Sequence, residues 1–411
     1  MKKKIGFYFD AQKSGEWNWD SFLRGDVGMN GTDSQLLLLV NDLSSDYAVY
    51  FFTNLDDKHS KKFETIQAAN AEEAAVKAKE LNIDLFIFNN KGNDNTINGI
   101  NKLESLKMPF VLWDQNGPAV SFETLLSGSK YLKRIVAVSK THANWHRHRK
   151  YFPKMTYIYN GKDYPVYNRT QTKVNTDIDI GFLGAVTESK GFHWVAKAWP
   201  EIKKELPGAK LIVIGSIKTH DSTRKTGELG IGEPDFENKY IFPYLGKTAN
   251  ELKKNGVSFT GHITPNQMLK YMPDLRLGIV NPNVWGGSNE TFCVSAVDFQ
   301  AFAVPVVGGN SGGLKETVSN RRTGILINSS DQLADAVIKL CSNQARLARL
   351  SGNCVTWVEH FSRKNIVPQW IKLINDVLSD KPNELVGLSL RELNLKMLIK
   401  ELIRIKNKYI Q

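Results

Sequence analysis

Short apolar runs alternate with amphipathic stretches of helical spacing along the first half of the chain. Runs of about four to eight residues rich in β-branched and aromatic side chains, bounded by polar turns, read as buried strands, and the 3.6-residue periodicity between them reads as helices. The predicted strands are 5–9, 47–53, 85–88, 110–113, 135–138 and 156–159. The alternation restarts at 178–183 and continues through 211–215, 257–260, 277–280, 305–307 and 325–327, with helices over most of 331–380. Strands and helices in alternation predict parallel sheets covered on both faces. Two such sets within 411 residues predict two doubly wound α/β domains, about 1–165 and 166–375, each long enough for its own core. Residues 164–177 are polar and aperiodic, as an interdomain linker would be. No internal repeat of about 20–50 residues is visible, which excludes a solenoid or propeller.

Three segments break the alternation. Residues 10–32 form a long loop after the first strand, with Trp17, Trp19, Arg24 and Gly28-Met29-Asn30-Gly31, before an apolar helix at 35–43. Ligands of α/β sheets bind beyond the carboxyl ends of strands, so this loop is expected on the functional edge. Residues 216–256, with Gly227, Gly230, Gly232, Pro234 and four aromatics, are long for a connection and predict an insertion over the cleft or a small subdomain. The end of the chain, 376–411, predicts a basic amphipathic helix. Leu395, Leu398, Leu402, Ile405 and Tyr409 form its stripe, and Lys396, Lys400, Arg404, Lys406 and Lys408 its charge. Such a helix either packs back on the protein or lies on a membrane surface or partner.

Composition narrows the class. Hydrophobic content of 41% is that of a globular protein. No apolar run approaches the roughly 20 residues of a membrane span. Met1 to Phe7 carries the charge of a signal peptide without its apolar region and reads as a first strand, so a cytoplasmic location is expected. Cys293, Cys341 and Cys354 are too scattered for a disulfide framework or metal knot. The formal charge of +12 suits anionic ligands, anionic lipid or nucleic acid, and it is uneven: residues 131–154 hold seven Lys or Arg, three His and no acid.

The strongest candidate chemistry lies in 281–318, NPNVWGGSNETFCVSAVDFQAFAVPVVGGNSGGLKETV. Glu290 and Asp298 are separated by slightly over two helical turns, which predicts one shared helix face with the acids about 12 Å apart along the axis. The Gly-rich lead-in at 285–289 predicts that Glu290 stands at a helix N-terminus, where anions bind. A second glycine loop, 308–313, follows the strand at 305–307 and offers backbone amides to a ligand. Either loop alone reads equally well as an ordinary helix start; both in this order are specific.

This stretch resembles the nucleotide-sugar-binding core of the retaining glycosyltransferases of family four, which have the GT-B fold. That pattern has a Glu, seven residues and a second Glu, then small residues, Pro-Val-Val, a Gly-Gly turn and a Glu. Glu290, Pro305-Val306-Val307 and Gly312-Gly313-Leu314-Lys315-Glu316 match it; Asp298 is one methylene shorter than the second Glu, and Ala303 stands where Gly is usual. The resemblance implies that Glu290 contacts the transferred sugar and Asp298 the ribose. Lys190-Gly191 matches a Lys-Gly pair whose Lys clamps the diphosphate, while Ala185 replaces the Arg that usually helps it. Ala cannot supply that bidentate, permanently charged contact. By the same resemblance Gly184, Gly31, Ser288, Asn289, Thr291, Gly312, Gly313, His262 and Ile263 belong to the donor site, with Glu290 and Lys190 catalytic. Ala137-Val138-Ser139 and the run Ile158 to Asp163 match further motifs and read mainly as architecture. The family often has a His after the strand at 110–113. Here Trp113-Asp114-Gln115-Asn116 follows, which leaves Asp114, Gln115 and Asn116 as the acceptor side.

The resemblance thus implies a GT-B α/β fold with two Rossmann-like domains facing across a cleft. It implies transfer of a sugar from a nucleotide diphosphate to a hydroxyl acceptor with retention, in surface polysaccharide or glycolipid assembly. No cofactor and no metal are expected, and the acceptor is expected to be lipid-linked. Anionic membrane, met through the stripe at 133–154, is the expected surface partner, at the inner face. Sugar transfer to nucleic acid and a GT-B binding protein with weak catalysis are the alternatives. Asp177-Ile178-Asp179 mimics an Asp-x-Asp metal motif but is expected to be solvated. His142 and His146 have metal-ligand spacing on a helix, yet no carboxylate or Cys is near in sequence and Arg147, Arg149 and Lys150 surround them, so a solvated basic face is expected. No Gly-x-Ser-x-Gly, Gly-Lys-Ser/Thr phosphate loop or dinucleotide fingerprint is present.

Overall fold

Seven parallel strands build the first sheet: β1 (Lys4–Phe9), β2 (Ala48–Thr53), β3 (Glu64–Gln67), β4 (Leu85–Asn89), β5 (Phe110–Asp114), β6 (Leu132–Ala137) and β7 (Met155–Tyr157), in the order β3-β2-β1-β4-β5-β6-β7. Six more build the second: β8 (Ile178–Leu183), β9 (Ala209–Ile214), β10 (Val257–Gly261), β11 (Leu277–Ile279), β12 (Val306–Gly309) and β13 (Gly324–Ile327), ordered β10-β9-β8-β11-β12-β13. This computed structural model describes residues 2–11, 17–55, 60–117, 122–163, 178–217, 224–284 and 290–384. The expected linker, Ser288, Asn289, Asp177 and the chain from 385 onward lie outside the described residues.

Central strands such as β4 and β5 are buried along their whole length, which is why they read as continuous apolar runs rather than alternating ones. The sequence reading missed β3. Glu-Thr-Ile-Gln sits at the sheet edge with two exposed and two half-buried residues, so no hydrophobic run marks it. In both sheets the strand order reverses between the first and fourth strands, β1/β4 and β8/β11. That reversal opens a crevice at the carboxyl ends, where ligands of such sheets bind.

Among the described residues of 216–256, none lines the cleft. The described part forms short helical turns, Pro234–Phe236, Glu237–Ile241 and Phe242–Tyr244. Phe236, Tyr240, Ile241 and Leu245 bury themselves with Phe192 and Trp199 of the helix Phe192–Glu205. Glu237, 1% exposed, gathers the amides of Leu229, Ile231 and Gly232 at 2.8–2.9 Å. Aromatic burial against that helix therefore takes the segment to an outer face. The helix Arg363–Leu378 packs onto the first domain, with the Trp370 ring 4.9 Å from Trp113 and Asn375 bonded to the Tyr47 hydroxyl. Among the described residues no helix is long and apolar enough to cross a membrane.

Candidate functional site

A cleft of about 660 Å³ separates the two sheets. It is lined from the first domain by the loop after β1, Gln115, Asn116, Asn160 and Lys162, and from the second by Gly184, Ala185, Lys190, Gly215, His262, Ile263, Asn281, Asp298 and the residues from Glu290 to Ser295.

Lys190 ends the loop after β8. The next strand of the crevice pins that loop: Asn281 Nδ2 donates to the Ser189 carbonyl at 3.1 Å and Asn283 Nδ2 to that of Glu188 at 2.9 Å. Lys190 Nζ donates to Glu290 Oε1 at 2.8 Å, and Asn281 Nδ2 donates to the same oxygen at 2.9 Å. Burial opposes the charge on Lys190, but the Glu290 carboxylate outweighs it, and the pKa stands above the ordinary lysine value. The cleft therefore holds a permanent cation beside an acid. Cys293, also in the wall, has its thiol pushed up to about 12 by burial and then by Glu290, so it is protonated and inert at neutral pH.

Glu290 and Asp298 do not share a helix face. The helix starts later, at Val294, and runs to Ala301, capped by Cys293 in a left-handed conformation with φ 72°. Two long-range contacts hold Glu290 outside it. Phe292 turns into the core, its ring 5.8 Å from Tyr159 and 5.4 Å from Phe361. The Gly312-Gly313 turn lies against the backbone of Glu290 and Thr291, and Gly313 N–H donates to the Glu290 carbonyl at 2.6 Å. A Cβ on Gly312 would stand 2.3 Å from the Glu290 carbonyl oxygen and one on Gly313 2.3 Å from that of Thr291. Neither glycine lines the cleft, so the expected amide contact to a donor gives way to a bed that supports Glu290.

Asp298, 7% exposed, does point to the cleft, where Lys162 Nζ of the first domain donates to it at 3.0 Å. The domains touch elsewhere around the cleft. Thr291 Oγ1 donates to the Gln115 carbonyl at 2.7 Å, and Ser139 Oγ to the Thr291 carbonyl at 2.6 Å. Glu316 accepts the amides of Lys140 and Thr141 at 2.9 and 2.6 Å and the Tyr159 hydroxyl at 2.8 Å. Burial, then the Glu316 charge, raise the Tyr159 phenol pKa, so it stays a donor. At the mouth, Asn266 Nδ2 bonds the Arg24 carbonyl and Asp26, both at 2.8 Å, and Gly28 faces His262 so closely that a Cβ would come within 2.4 Å of its Nε2.

Two further expectations are corrected. His142 and His146 are buried, at 0 and 8% exposure, and the fold brings them the carboxylate that the local sequence lacks: Asp114, fully buried, places Oδ2 3.3 Å from His142 Nε2. Nor is the stripe at 133–154 an unopposed basic face. Arg149 pairs with Glu123 at 2.7 Å, Lys133 with Asp380 at 2.7 Å, and Arg134 donates to the Lys381 carbonyl at 2.6 Å. Those acceptors come from outside the stripe's own sequence. Asp179 begins near the amino end of β8, across the sheet from the cleft.

Of the sequence candidates, Glu290, Lys190, Asp298, Gly184, Gly31, Thr291, His262, Ile263, Gln115 and Asn116 line one cleft, while Asp114 lies beneath its floor. Asn160, Lys162, Arg363, Asn281 and Cys293 also line it and were not foreseen as site residues. Asn160 and Lys162 belong to the run read as architecture, and Asn281 opens the motif-bearing stretch. Arg363, which bonds Asp42 Oδ2 through Nε at 2.7 Å, carries no local signal.

Residues 177–343 match the family model described as glycosyl transferases group 1. The chain is similar, at 24% identity over 43% of its length, to a GDP-mannose-dependent alpha-(1-6)-phosphatidylinositol monomannoside mannosyltransferase of Mycobacterium tuberculosis, and at 27% over 50% to the capsular polysaccharide biosynthesis glycosyltransferase CapM of Staphylococcus aureus. It spans 41% and 48% of those two proteins. In structure it resembles sucrose-phosphate synthase from Thermosynechococcus elongatus (TM-score 0.69, 17% identity, 92% of this chain and 100% of that one). It also resembles HepE of Anabaena in complex with UDP and glucose (TM-score 0.63, 16% identity, 91% and 99%). The fold is of the GT-B type, two parallel-sheet α/β domains across a cleft.

Proposed function

We propose that this protein is a retaining glycosyltransferase that moves a sugar from a nucleotide diphosphate to a hydroxyl of a growing polysaccharide or glycolipid. The observation that carries the reading is the Lys190–Glu290 pair, 2.8 Å apart at the crevice between β8 and β11, inside the region that matches the family model. When the sugar–phosphate bond breaks, charge grows on the departing diphosphate, and a fixed cation in a partly dry cleft stabilises it without reorganisation. Lys190 has that place, and Glu290, freed from it by the incoming anion, can accept hydroxyl hydrogen bonds from the sugar. Asp298 is set to do the same for the ribose once Lys162 turns away. The helix Gly31–Leu43, whose amino end faces the cleft, adds backbone amides and the positive end of its dipole.

Ala185 leaves the diphosphate one guanidinium short, the feature that favours a binding protein with weak catalysis. Lys162 and Arg363 in the same cleft supply positive charge from other elements. The acceptor class follows the printed names of the mannosyltransferase and CapM. Transfer to nucleic acid loses support because Lys133, Arg134 and Arg149 are engaged within the protein. Incubation with UDP-, GDP- and ADP-sugars, with release of nucleotide measured, tests the reading, and proton NMR of the freshly released sugar reports its anomer. Absence of turnover with every donor would remove the enzyme reading, and an inverted anomer would remove retention.

A further inference from the structure

Below the floor of the cleft, three polar atoms converge without hydrogen-bond partners: Asp114 Oδ2, His142 Nε2 and His146 Nε2. The three side chains offer ligand atoms that all lie within 4.8 Å of one another, and all are buried. Buried polar atoms left unpaired cost on the order of 1–3 kcal/mol each in general, so a cluster of three calls for an occupant.

We propose that Asp114, His142 and His146 bind a zinc-class divalent ion, with the fourth position left to water under Gly117. Ligands about 2.0–2.1 Å from a tetrahedral zinc lie roughly 3.3 Å apart, and Asp114 Oδ2 and His142 Nε2 are 3.3 Å apart. The surroundings are those of a metal site. Asp114 Oδ1 accepts from Asn90 Nδ2 and Gly117 N–H, both at 3.0 Å, which leaves Oδ2 for the ion. His146 Nδ1 meets the Tyr151 hydroxyl at 2.9 Å, so Nε2 is the nitrogen turned to the cluster. Outer contacts of this kind orient ligands in metal sites. Val138 N–H donates to His142 Nδ1 over a long 3.4 Å, a contact the ring must give up when its Nε2 binds the ion. Arg149, the nearby charge that would repel a cation, is neutralised by Glu123. Two imidazoles favour zinc over magnesium or calcium, which select oxygen ligands. Gly117 is a thin cover: a Cβ there would be 3.7 Å from His142 Nε2 and 3.8 Å from His146 Nε2. The ion ties the end of β5 to the helix Lys140–Asn144 and so fixes Gln115 and Asn116 in the first-domain wall.

The test uses the full chain, stripped with a chelator and titrated with zinc chloride against a competing chromophoric chelator. One equivalent binds to the wild type and raises its Tm. In His146→Ala and in the nearly isosteric Asp114→Asn, affinity falls at least ~100-fold, the upper end of what losing even an outer-shell partner costs. Equal binding by wild type and both variants would assign the zinc to surface histidines and overturn the site, as would no Tm change in the wild type. Should both variants fail to fold, cobalt(II) absorption of the wild type decides. Intense visible bands of a four- or five-coordinate ion support the site, and the faint spectrum of six-coordinate cobalt refutes it.

Discussion

The two walls of the cleft are built differently. The second-domain wall is assembled from two adjacent crevice loops: the one after β8, ending in Lys190-Gly191, and the one after β11, which carries both Asn281 and Glu290, the latter on the Gly312-Gly313 bed. Its charged groups are already paired at 2.8–3.0 Å, Lys190 with Glu290 and Asp298 with Lys162. The first-domain wall draws on a run, Ile158 to Asp163, that read as architecture. It consists of a glycine-containing loop, the reciprocally bonded amides of Gln115 and Asn160, and a buried Asp-His-His cluster beneath. Under the proposed function, a donor of fixed chemistry against one wall and an acceptor of variable chemistry against the other would call for such a contrast.

If the second-domain wall carries the chemistry, Glu290→Gln has the largest effect. Turnover falls at least tenfold, while Tm stays close to wild type because the amide still accepts from Asn281. Unchanged turnover would move the reacting centre elsewhere. Lys190→Ala comes next. A charge-assisted contact is worth about 1.5–3 kcal/mol and ~1.4 kcal/mol is tenfold, so calorimetry should show nucleotide diphosphate binding weakened by about tenfold or more. Equal affinity would mean that the diphosphate is held by Lys162 or Arg363 from the opposite side.

A smaller effect probes how the walls meet. Gly28→Ala pushes a methyl group against His262 and holds the mouth open, weakening donor binding a few-fold. Unchanged donor binding would show that the mouth contact does not set the width of the cleft. The smallest change lies behind the second-domain wall. Ala303 has φ 56°, a left-handed conformation that costs a non-glycine residue roughly 1–2 kcal/mol, partly offset by the ~0.5–1 kcal/mol entropy cost of glycine. Ala303→Gly should raise stability by up to about 1 kcal/mol, a Tm gain of about 2–4 °C, with turnover unchanged. A lower Tm would mean that the buried methyl matters more than the strain.

The φ of Ala303 also shows what kind of information a sequence holds. Glycine is usual at that position in the resembling pattern because the chain must turn left-handed there, a local demand visible one residue at a time. The strands were legible for the same reason: burial on both sheet faces forces apolar runs, and only β3, an exposed edge of Glu-Thr-Ile-Gln, escaped. Lys190 and Glu290 were legible because each stands in a short contiguous motif shaped by its own loop.

Contacts between distant segments were not legible. The eight-position spacing of Glu290 and Asp298 promised one helix face, but Phe292 and the Gly312-Gly313 turn hold Glu290 outside the helix, and neither constraint resides in the spacing. His142 and His146 read as solvated because no acid lies near them in sequence; β5 delivers Asp114 from 28 residues away. Lys162 reaches Asp298 across 136 residues, and Glu123 neutralises Arg149 from before the basic stripe begins. Local periodicity, turn chemistry and loop motifs are properties of neighbouring residues, so the sequence alone determined two doubly wound domains and the short motifs that gather Lys190 and Glu290 at one wall of the cleft. Which charges meet and which stay buried depends on how the two sheets pack, and only the tertiary structure decided it.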